Sequence, residues 1–431
     1  MLVTLGAFAY TLKRLIAFFK LTKKGFPIKD YGKRFSVMMS VAFGQTKIFR
    51  RPILGFLHAL VFWGFCVILI GSVEMIIDGV AGTERALGVL GVVYNIIMGS
   101  GDVFALIIAI AILVFLFRRL FLNVKRFSGI EMTHKSHKDA NFALTLIFLL
   151  MVTLLGMNTF YYQHAISEGH QIVGTYPVSK ILAGLFSGMS HDKLFVMHEI
   201  NWWAHILLIF FFANYLPYSK HFHVFMSVPN TFLSRLEPLG KLDNMENITK
   251  EVKLMMDPNA AFAEPAEGEE EVERFGAKDV TDLNWKNFFD SLACTQCGRC
   301  TSVCPANITG KKLSPRKIIM DVRSRMNEIG PQMVKNGKDF TDNKSLLRDF
   351  ITEEELWACT TCNACAQECP ININHPTIIV EMRRYLVMEE AASPGELNTI
   401  FNNIENNGAP WQFSQEDRML WADELYINEK A

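Results

Sequence analysis

Excess charge of either sign is missing from this sequence. Its 43 Lys and Arg balance 43 Asp and Glu over 431 residues, so nothing in the composition suits a polyanion, and nucleic acid is excluded as a partner. Cysteine is almost absent outside two short runs: eight of nine lie between Cys294 and Cys369, and only Cys66 sits elsewhere, in an apolar stretch, as a packed small side chain. That clustering speaks against a secreted disulfide framework and suits cofactor ligation in a reducing compartment. No basic stretch precedes the first apolar segment, which disfavours a cleaved signal peptide. Large apolar residues almost vanish from the acidic run "DPNAAFAEPAEGEEEVERFGAKD", 257–279, which reads as an exposed tether rather than core.

Hydrophobic residues are abundant, at 50% of the chain, and the mean hydropathy is +0.19. They crowd into the first 225 residues or so, while charge crowds into the remainder, so the average conceals two solvents. Residues 53–73, 102–117, 142–162 and 194–218 can each supply the roughly 20 apolar residues that cross a bilayer. Residues 1–20 form a fifth apolar segment with Lys13 and Arg14 in its middle; it either snorkels those charges or stops short of crossing. The 21–51 connection carries Lys23, Lys24, Lys29, Lys33, Arg34, Lys47, Arg50 and Arg51, and the 118–140 connection carries Arg118, Arg119, Lys125, Arg126, Lys135 and Lys138. The positive-inside rule puts both in the cytoplasm, and with five crossings everything after Tyr218 joins them. Cysteine usage points independently to the same reducing side.

Ionisable groups at membrane depth are costly, so the intramembrane histidines are candidates for function. An isolated structural His, hydrogen-bonded to its surroundings, is the plainer alternative. His205 and His223 are 18 residues apart and share a face if the helix survives Pro217, which would separate them by about 27 Å. His58 lies a few residues inside the cytoplasmic end of its own helix, at a depth similar to His223. Two imidazoles facing each other across a bundle form a bis-histidine site for haem b. A second haem would use His205 with a partner nearer the outside; His164, His170 and His191 at the outer end are the candidates, while His198, on the same helix, is too close along it to face His205 across a haem. Glu74, Asp78, Asp102 and Glu199 are acids in or near apolar segments, and groups at such positions are usually solvated by headgroup water.

The cysteines repeat one pattern. CxxCxxCxxxCP occurs as Cys294, Cys297, Cys300, Cys304 before Pro305, and again as Cys359, Cys362, Cys365, Cys369 before Pro370. Three thiolates within seven residues wrap one face of a [4Fe-4S] cubane, and the fourth, followed by Pro, ligates the other cluster. The expected sets are therefore Cys294, Cys297 and Cys300 with Cys369, and Cys359, Cys362 and Cys365 with Cys304. A tetrahedral zinc site uses two pairs of ligands and has no need of a third cysteine plus CP. Between the motifs, "SPRKIIMDVRSRMNEIG", "NKSLLRDFIT" and "EEELWACT" carry apolar residues at helical spacing, with Ser314 and Pro315 as a start signal.

These cysteine runs with helices between them resemble the all-helical ferredoxin of the iron-sulfur subunits of succinate dehydrogenase and heterodisulfide reductase. The first half, with "FWGFCVILIG" after His58 and "PYSKHFH" ending the last apolar segment, resembles the cytochrome b (gamma) subunit of respiratory nitrate reductase. That family holds two b haems between two pairs of His. Here the first helix offers only His58, so a second haem lacks its obvious partner. The tail, with "NNGAPWQFSQEDRMLW" at 406–421, is similar to a segment following the clusters in heterodisulfide reductase small subunits. Fused proteins of this kind also resemble membrane iron-sulfur proteins that pass electrons from electron-transfer flavoprotein to menaquinone.

The resemblance implies an all-α chain in four parts: a transmembrane haem b bundle of five helices, or four if residues 1–20 do not cross, over 1–227; a cytoplasmic acidic linker over 228–284; an α-helical ferredoxin domain over 285–392; and a C-terminal tail over 393–431. It implies a membrane-bound electron-transfer subunit in the bacterial inner membrane, using two [4Fe-4S] clusters and haem b, and exchanging electrons with menaquinone or ubiquinone. The relatives that carry catalytic disulfide or flavoprotein chemistry add CCG modules. No adjacent cysteine pair occurs here, so the catalytic chemistry falls to a cytoplasmic partner, CCG-type or electron-transfer flavoprotein. A membrane-anchored iron-sulfur sensor or assembly scaffold is the alternative from another class.

Overall fold

The computed structural model describes residues 1–257 and 274–428. Among them there is no strand, only two isolated bridges, Lys23 with Asn284 and Leu347 with Ile351. The chain divides into two compact units. The larger joins 1–243 to 279–378, and the smaller joins 244–278 to 379–431.

The larger unit begins with helices α1 (Leu2–Phe19) and α2 (Tyr31–Met38). It continues through α3 (Pro52–Ala81), α4 (Val92–Phe121), α5 (His134–Glu168), the short α6 (Pro177–Ala183), α7 (His191–Tyr215) and α8 (His223–Phe232). Five of its helical stretches, at 2–19, 52–81, 92–121, 134–168 and 191–218, are long and apolar enough to cross a membrane. Pro52 at the first position of α3 and Gly82 in the left-handed conformation after its end mark the limits of that helix. Helices α3, α4, α5 and α7 pack in sequence, and α1 lies against α7. Small residues set the spacing: Ala105, Ala109 and Ile112 of α4 meet Leu144, Met151 and Leu155 of α5 in the core. At Gly156 a Cβ would come within 2.3 Å of the Asn201 Oδ1 on α7, so a larger residue there requires the Asn201 side chain to shift.

The acids expected in headgroup water are partly elsewhere. Asp102 is fully buried and accepts from the amides of Val178 (2.8 Å) and Ser179 (2.9 Å) and from the Ser179 hydroxyl. It thereby caps the first turn of α6 from a neighbouring helix. Glu74 is buried too, accepting from the Leu87 amide and the Tyr94 hydroxyl. Buried acids of this kind tie helices together because their hydrogen bonds offset desolvation.

The final apolar helix does not run on to His223. Helix α7 ends at Tyr215, Pro217 sits in a 3-10 turn, and Ser219 is extended (φ −96, ψ 160) before a second 3-10 turn leads into α8. The Pro ring removes a donor and clashes with the preceding turn, so the 27 Å helical separation of His205 from His223 does not apply.

The cysteine half belongs to the same unit. It comprises α9 (Trp285–Ala293), α10 (Arg299–Ser302), α11 (Pro305–Ile308), α12 (Pro315–Asn336), α13 (Leu346–Asp349), α14 (Glu353–Trp357) and α15 (Ala364–Glu368). Its long helix α12 starts where Ser314 accepts from the Lys317 amide, with Pro315 at the first position. It is fastened to the membrane-type half by aromatic and ionic contacts. Phe18 and Phe19 of α1 meet Phe288, and Gly330 of α12 leaves room for the Phe18 ring. Buried Arg316 pairs with buried Glu131 at 2.7 Å and donates to the carbonyls of Arg126 (2.7 Å) and Ser128 (2.9 Å). Arg323 donates to the carbonyls of Pro217 and Ser219. Arg34 reaches the carbonyls of Phe232 and Ser234, and Asn230 that of Ile371.

The stretch read as linker, 228–284, is packed at both ends: Asn230 and Thr231 are buried, as are Val280 and Leu283, and Asp279 pairs with Arg325 at 2.7 Å. Its acidic centre, 258–273, lies outside the described residues. In the smaller unit, helices span Glu246–Met256, Gly395–Asn407 and Leu420–Asn428, and the amide of Ala277 donates to the Glu381 carbonyl at 2.9 Å.

Candidate functional site

The two cysteine motifs fold into the same loop. Cys294 follows α9 and Cys359 follows α14. Two residues on, Gln296 (φ +58) and Thr361 (φ +52) take left-handed backbone; four residues on, Gly298 (φ +74) and Asn363 (φ +60) do so again. For a β-branched threonine this conformation is strained, and such strain persists where the surroundings require it. It turns the amides of Gln296 and Thr361 onto the sulfurs of Cys294 and Cys359, each at 3.4 Å. Cys300 and Cys365 sit in the single-turn helices α10 and α15, while Cys304 and Cys369 leave on extended backbone next to Pro305 and Pro370.

The two loops trade their fourth cysteines. The Cys369 thiol interacts with Cys297 and Cys294, and Cys300 with Cys297, Cys294 and Cys369 and, after these, with Cys365 of the other group; the Cys304 thiol interacts with Cys359 and Cys362, and Cys365 with Cys359, Cys304 and Cys362. All eight are free of disulfides. Burial pushes Cys365 and Cys369 up to about 12 and Cys294 up to about 11. Thiols held that high are nucleophiles and disulfide formers only weakly, but metal ions convert them to thiolates outright. Eight sulfurs in two groups of four, each group three from one loop and one from the other, are a donor set that fits two cubanes.

The first group is ringed by cations that the charge pattern did not reveal as site residues. Arg126 and Arg299 act on Cys297, Lys47 and Arg299 on Cys369, and Lys220 and Arg323 on Cys294. Lys47 and Arg126 come from the two basic connections, and Arg299 donates back to the carbonyls of Lys47 (2.7 Å) and Ile48 (3.1 Å). A Cβ at Gly298 would meet the Arg126 carbonyl at 2.5 Å, so this loop lies directly on the 118–140 connection. Positive charge beside one group of thiolates stabilises a reduced, more negative cluster there.

Histidines 58 and 223 lie on the same side of the bundle as the first cysteine group. They are within electrostatic reach of each other, and Arg299 is within reach of His58. In each, Nδ1 is engaged: His58 faces the Gln45 Oε1 at 3.3 Å, and His223 faces the Lys220 carbonyl at 3.3 Å. An Nδ1–H held by an oxygen leaves the Nε2 lone pair for a metal, which is the second-shell pattern of ligating imidazoles. Gln45, buried and in left-handed backbone, donates its own Nε2 to the Ala42 carbonyl and so presents Oε1 to His58. Nothing in the local pattern marks Gln45, because its partner lies 13 residues away. His205 is buried elsewhere, with Nδ1 2.9 Å from the Thr153 hydroxyl, on the wall of a cavity of about 830 Å³ that His164, His198, Glu74, Tyr161 and Trp202 also line. His198 shares a helix with His205 and faces the Met157 carbonyl at 3.1 Å through its own Nδ1. His198 and His205 lie seven residues apart on one helix, so they do not face each other across the bundle as a bis-histidine pair would.

Residues 293–373 match the family described as "4Fe-4S dicluster domain". The chain is 30% identical to the probable iron-sulfur-binding oxidoreductase FadF of Bacillus subtilis over 97% of its own length and 59% of that protein's. It is 28% identical to the EtfAB:quinone oxidoreductase of Syntrophomonas wolfei over 90% of its length and 54% of the relative's. A probable membrane-anchored ferredoxin of Chromohalobacter salexigens is 32% identical over 35% of this chain and 24% of its own. The chain thus spans between half and three fifths of the length of the two relatives that match nearly all of it. No solved structure matches. The chain is thus similar to iron-sulfur oxidoreductases, carries a 4Fe-4S dicluster match, and has five helices long and apolar enough to cross a membrane.

Proposed function

We propose that the chain is the membrane arm of a quinone-linked oxidoreductase. In this reading it exchanges electrons between a cytoplasmic redox partner and menaquinone or ubiquinone, in the manner that the name of the Syntrophomonas relative states for that protein. The observation that carries this reading is the placement of the crossed cysteine group of Cys294, Cys297, Cys300 and Cys369 on the same side of one unit as His58 and His223. The crossed cysteine sets would hold two [4Fe-4S] clusters and His58 with His223 would hold a haem b, and these groups would supply one-electron chemistry.

The residues of the chain orient and tune. Gln45 and Lys220 fix the tautomers of His58 and His223. Arg126, Arg299, Arg323 and Lys220 hold positive charge on the first group of sulfurs. Arg316 and Glu131 keep that group against the bundle. The cavity beside His205 is apolar on its Val67, Ile68 and Met75 wall and polar at Glu74 and His198, as a quinone headgroup with an isoprenoid tail requires. The basic connections at 21–51 and 118–140 support a cytoplasmic cysteine half in a bacterial cell, where an electron-transfer flavoprotein or a CCG-type subunit would dock. The bundle itself is of the nitrate reductase cytochrome b type in this reading.

Optical spectra test it. The purified protein is expected to show a dithionite-reducible α band in the b-haem region that disappears in His58→Leu and in His223→Leu, with cluster EPR signals retained. An α band of undiminished height in both variants contradicts the haem assignment.

A further inference from the structure

At the end of the bundle remote from the cysteines, the last turn of α5 and the first residue of α7 bring together groups that the electron path does not use. Helix α5 begins beside the first cysteine loop, where Ser136 meets Gln296, and its 35 residues carry Glu168 about 50 Å away. There His164, Glu168 and His191 each offer a ligand atom, all within 4.8 Å of one another. The imidazole rings of His164 and His191 have centroids 4.4 Å apart. The Glu168 carboxylate takes Oε1 to the His191 Nε2 and Oε2 to the His170 Nδ1 at 3.0 Å.

One member of the group is unsatisfied. The Nδ1 of His164 is 3.7 Å from the carboxylate, too long for a hydrogen bond, and its Nε2 is buried with no hydrogen-bond partner. A buried imidazole nitrogen without a partner is costly, and the His164 Nε2 is in that position. Hydrogen bonding within the group therefore accounts for His170 and His191 but leaves His164 unexplained. An ion held by His164, Glu168 and His191, each offering one ligand atom, gives the three groups a common partner.

We infer that His164, Glu168 and His191, with His170 beside them, form a binding site for a divalent transition metal. Imidazole and carboxylate donors in this proportion suit zinc, which takes nitrogen and oxygen ligands in a low coordination number, and they are too nitrogen-rich for calcium or magnesium. The ion replaces the protons that otherwise bridge imidazole and carboxylate. It ties the ends of the 169–190 connection to each other. His164, Glu168 and His170 also line the cavity that holds His205, so the bound ion lies at the mouth of that cavity and places positive charge there.

The site stands independently of the haem and quinone reading, and its test does not use activity. The full chain, purified in detergent with its clusters intact, is equilibrated with zinc sulfate and then dialysed, and zinc and iron are counted together. The expected result is zinc retained in proportion to protein, with a zinc-edge X-ray absorption spectrum showing nitrogen and oxygen donors and the multiple scattering of imidazole. His191→Asn and Glu168→Gln should each weaken retention by more than about tenfold while iron content stays unchanged, which reports intact folding. Absence of retained zinc, sulfur in its coordination shell, or equal retention by both variants and the parent overturns the assignment. A His164→Asn variant that loses a b-type haem band, in a protein that retains no zinc, would instead make His164 a haem ligand.

Discussion

Replacing Cys369 by alanine is expected to destroy the cluster of the first motif and to spare that of its own. Cys369 sits in the second run, yet its sulfur lies with Cys294 and Cys297, while Cys304 of the first run lies with Cys359 and Cys362. If ligation follows these groups, Cys369→Ala and Cys294→Ala lose the same EPR signal, and Cys304→Ala and Cys359→Ala lose the other. Each variant should keep about half of the iron, because one cubane of two survives. The two signals are distinguishable in principle, since cations ring the first group and shift its potential upward. Grouping of the variants by motif, Cys369 with Cys359 and Cys304 with Cys294, would refute the crossed arrangement.

The second large effect lies in the joint between the halves. Arg316→Met is expected to destabilise the larger unit by about 3–5 kcal/mol, the range for breaking a buried ion pair from one side. Arg316 and Glu131 have side-chain exposures of 1% and 4%, so the carboxylate left behind has no access to water. The carbonyls of Arg126 and Ser128 lose their donor as well. Glu131→Gln should cost less, because the amide still accepts from the guanidinium and from the Ser314 hydroxyl, which lies 2.7 Å from the carboxylate. In the double variant the losses should fall short of their sum by about 0.5–3 kcal/mol. Thermal unfolding followed by cluster absorbance measures all three; strict additivity would show that the pair is not coupled.

The parts of this protein that sequence exposes best are those whose chemistry is local. Cysteine spacing suits a cubane face within seven residues, so the expected ligand groups can be read from the motif itself, and the apolar runs that become α3, α4, α5 and α7 need only their length and composition. Residues 1–20, ambiguous because of Lys13 and Arg14, form α1, and Arg14 is accommodated over the rings of Phe18 and Tyr218.

What sequence hides is long-range. Arg316 meets Glu131 across 185 positions and Ser136 meets Gln296 across 160, and neither residue carries a local signature. The basic connections are legible as a topological signal, but their second use, charge beside sulfur, depends on how the halves dock. Asp102 and Glu74 read as interfacial acids because the pattern shows depth and not neighbours; in the fold they are tertiary acceptors for α6, Leu87 and Tyr94. The helical phase linking His205 to His223 fails at Ser219, where Pro217 ends the regular hydrogen bonding and resets the direction of the chain.

Electron exchange with quinone tests the account most directly. The purified holoprotein, reduced anaerobically, is mixed in stopped flow with a soluble menaquinone analogue, and cluster absorbance is followed in the parent and in His223→Leu. The account predicts prompt reoxidation of the parent, and clusters that stay reduced in the variant although their EPR signals are intact. Reoxidation of the variant as fast as the parent, or no reoxidation of the parent at all, would contradict it.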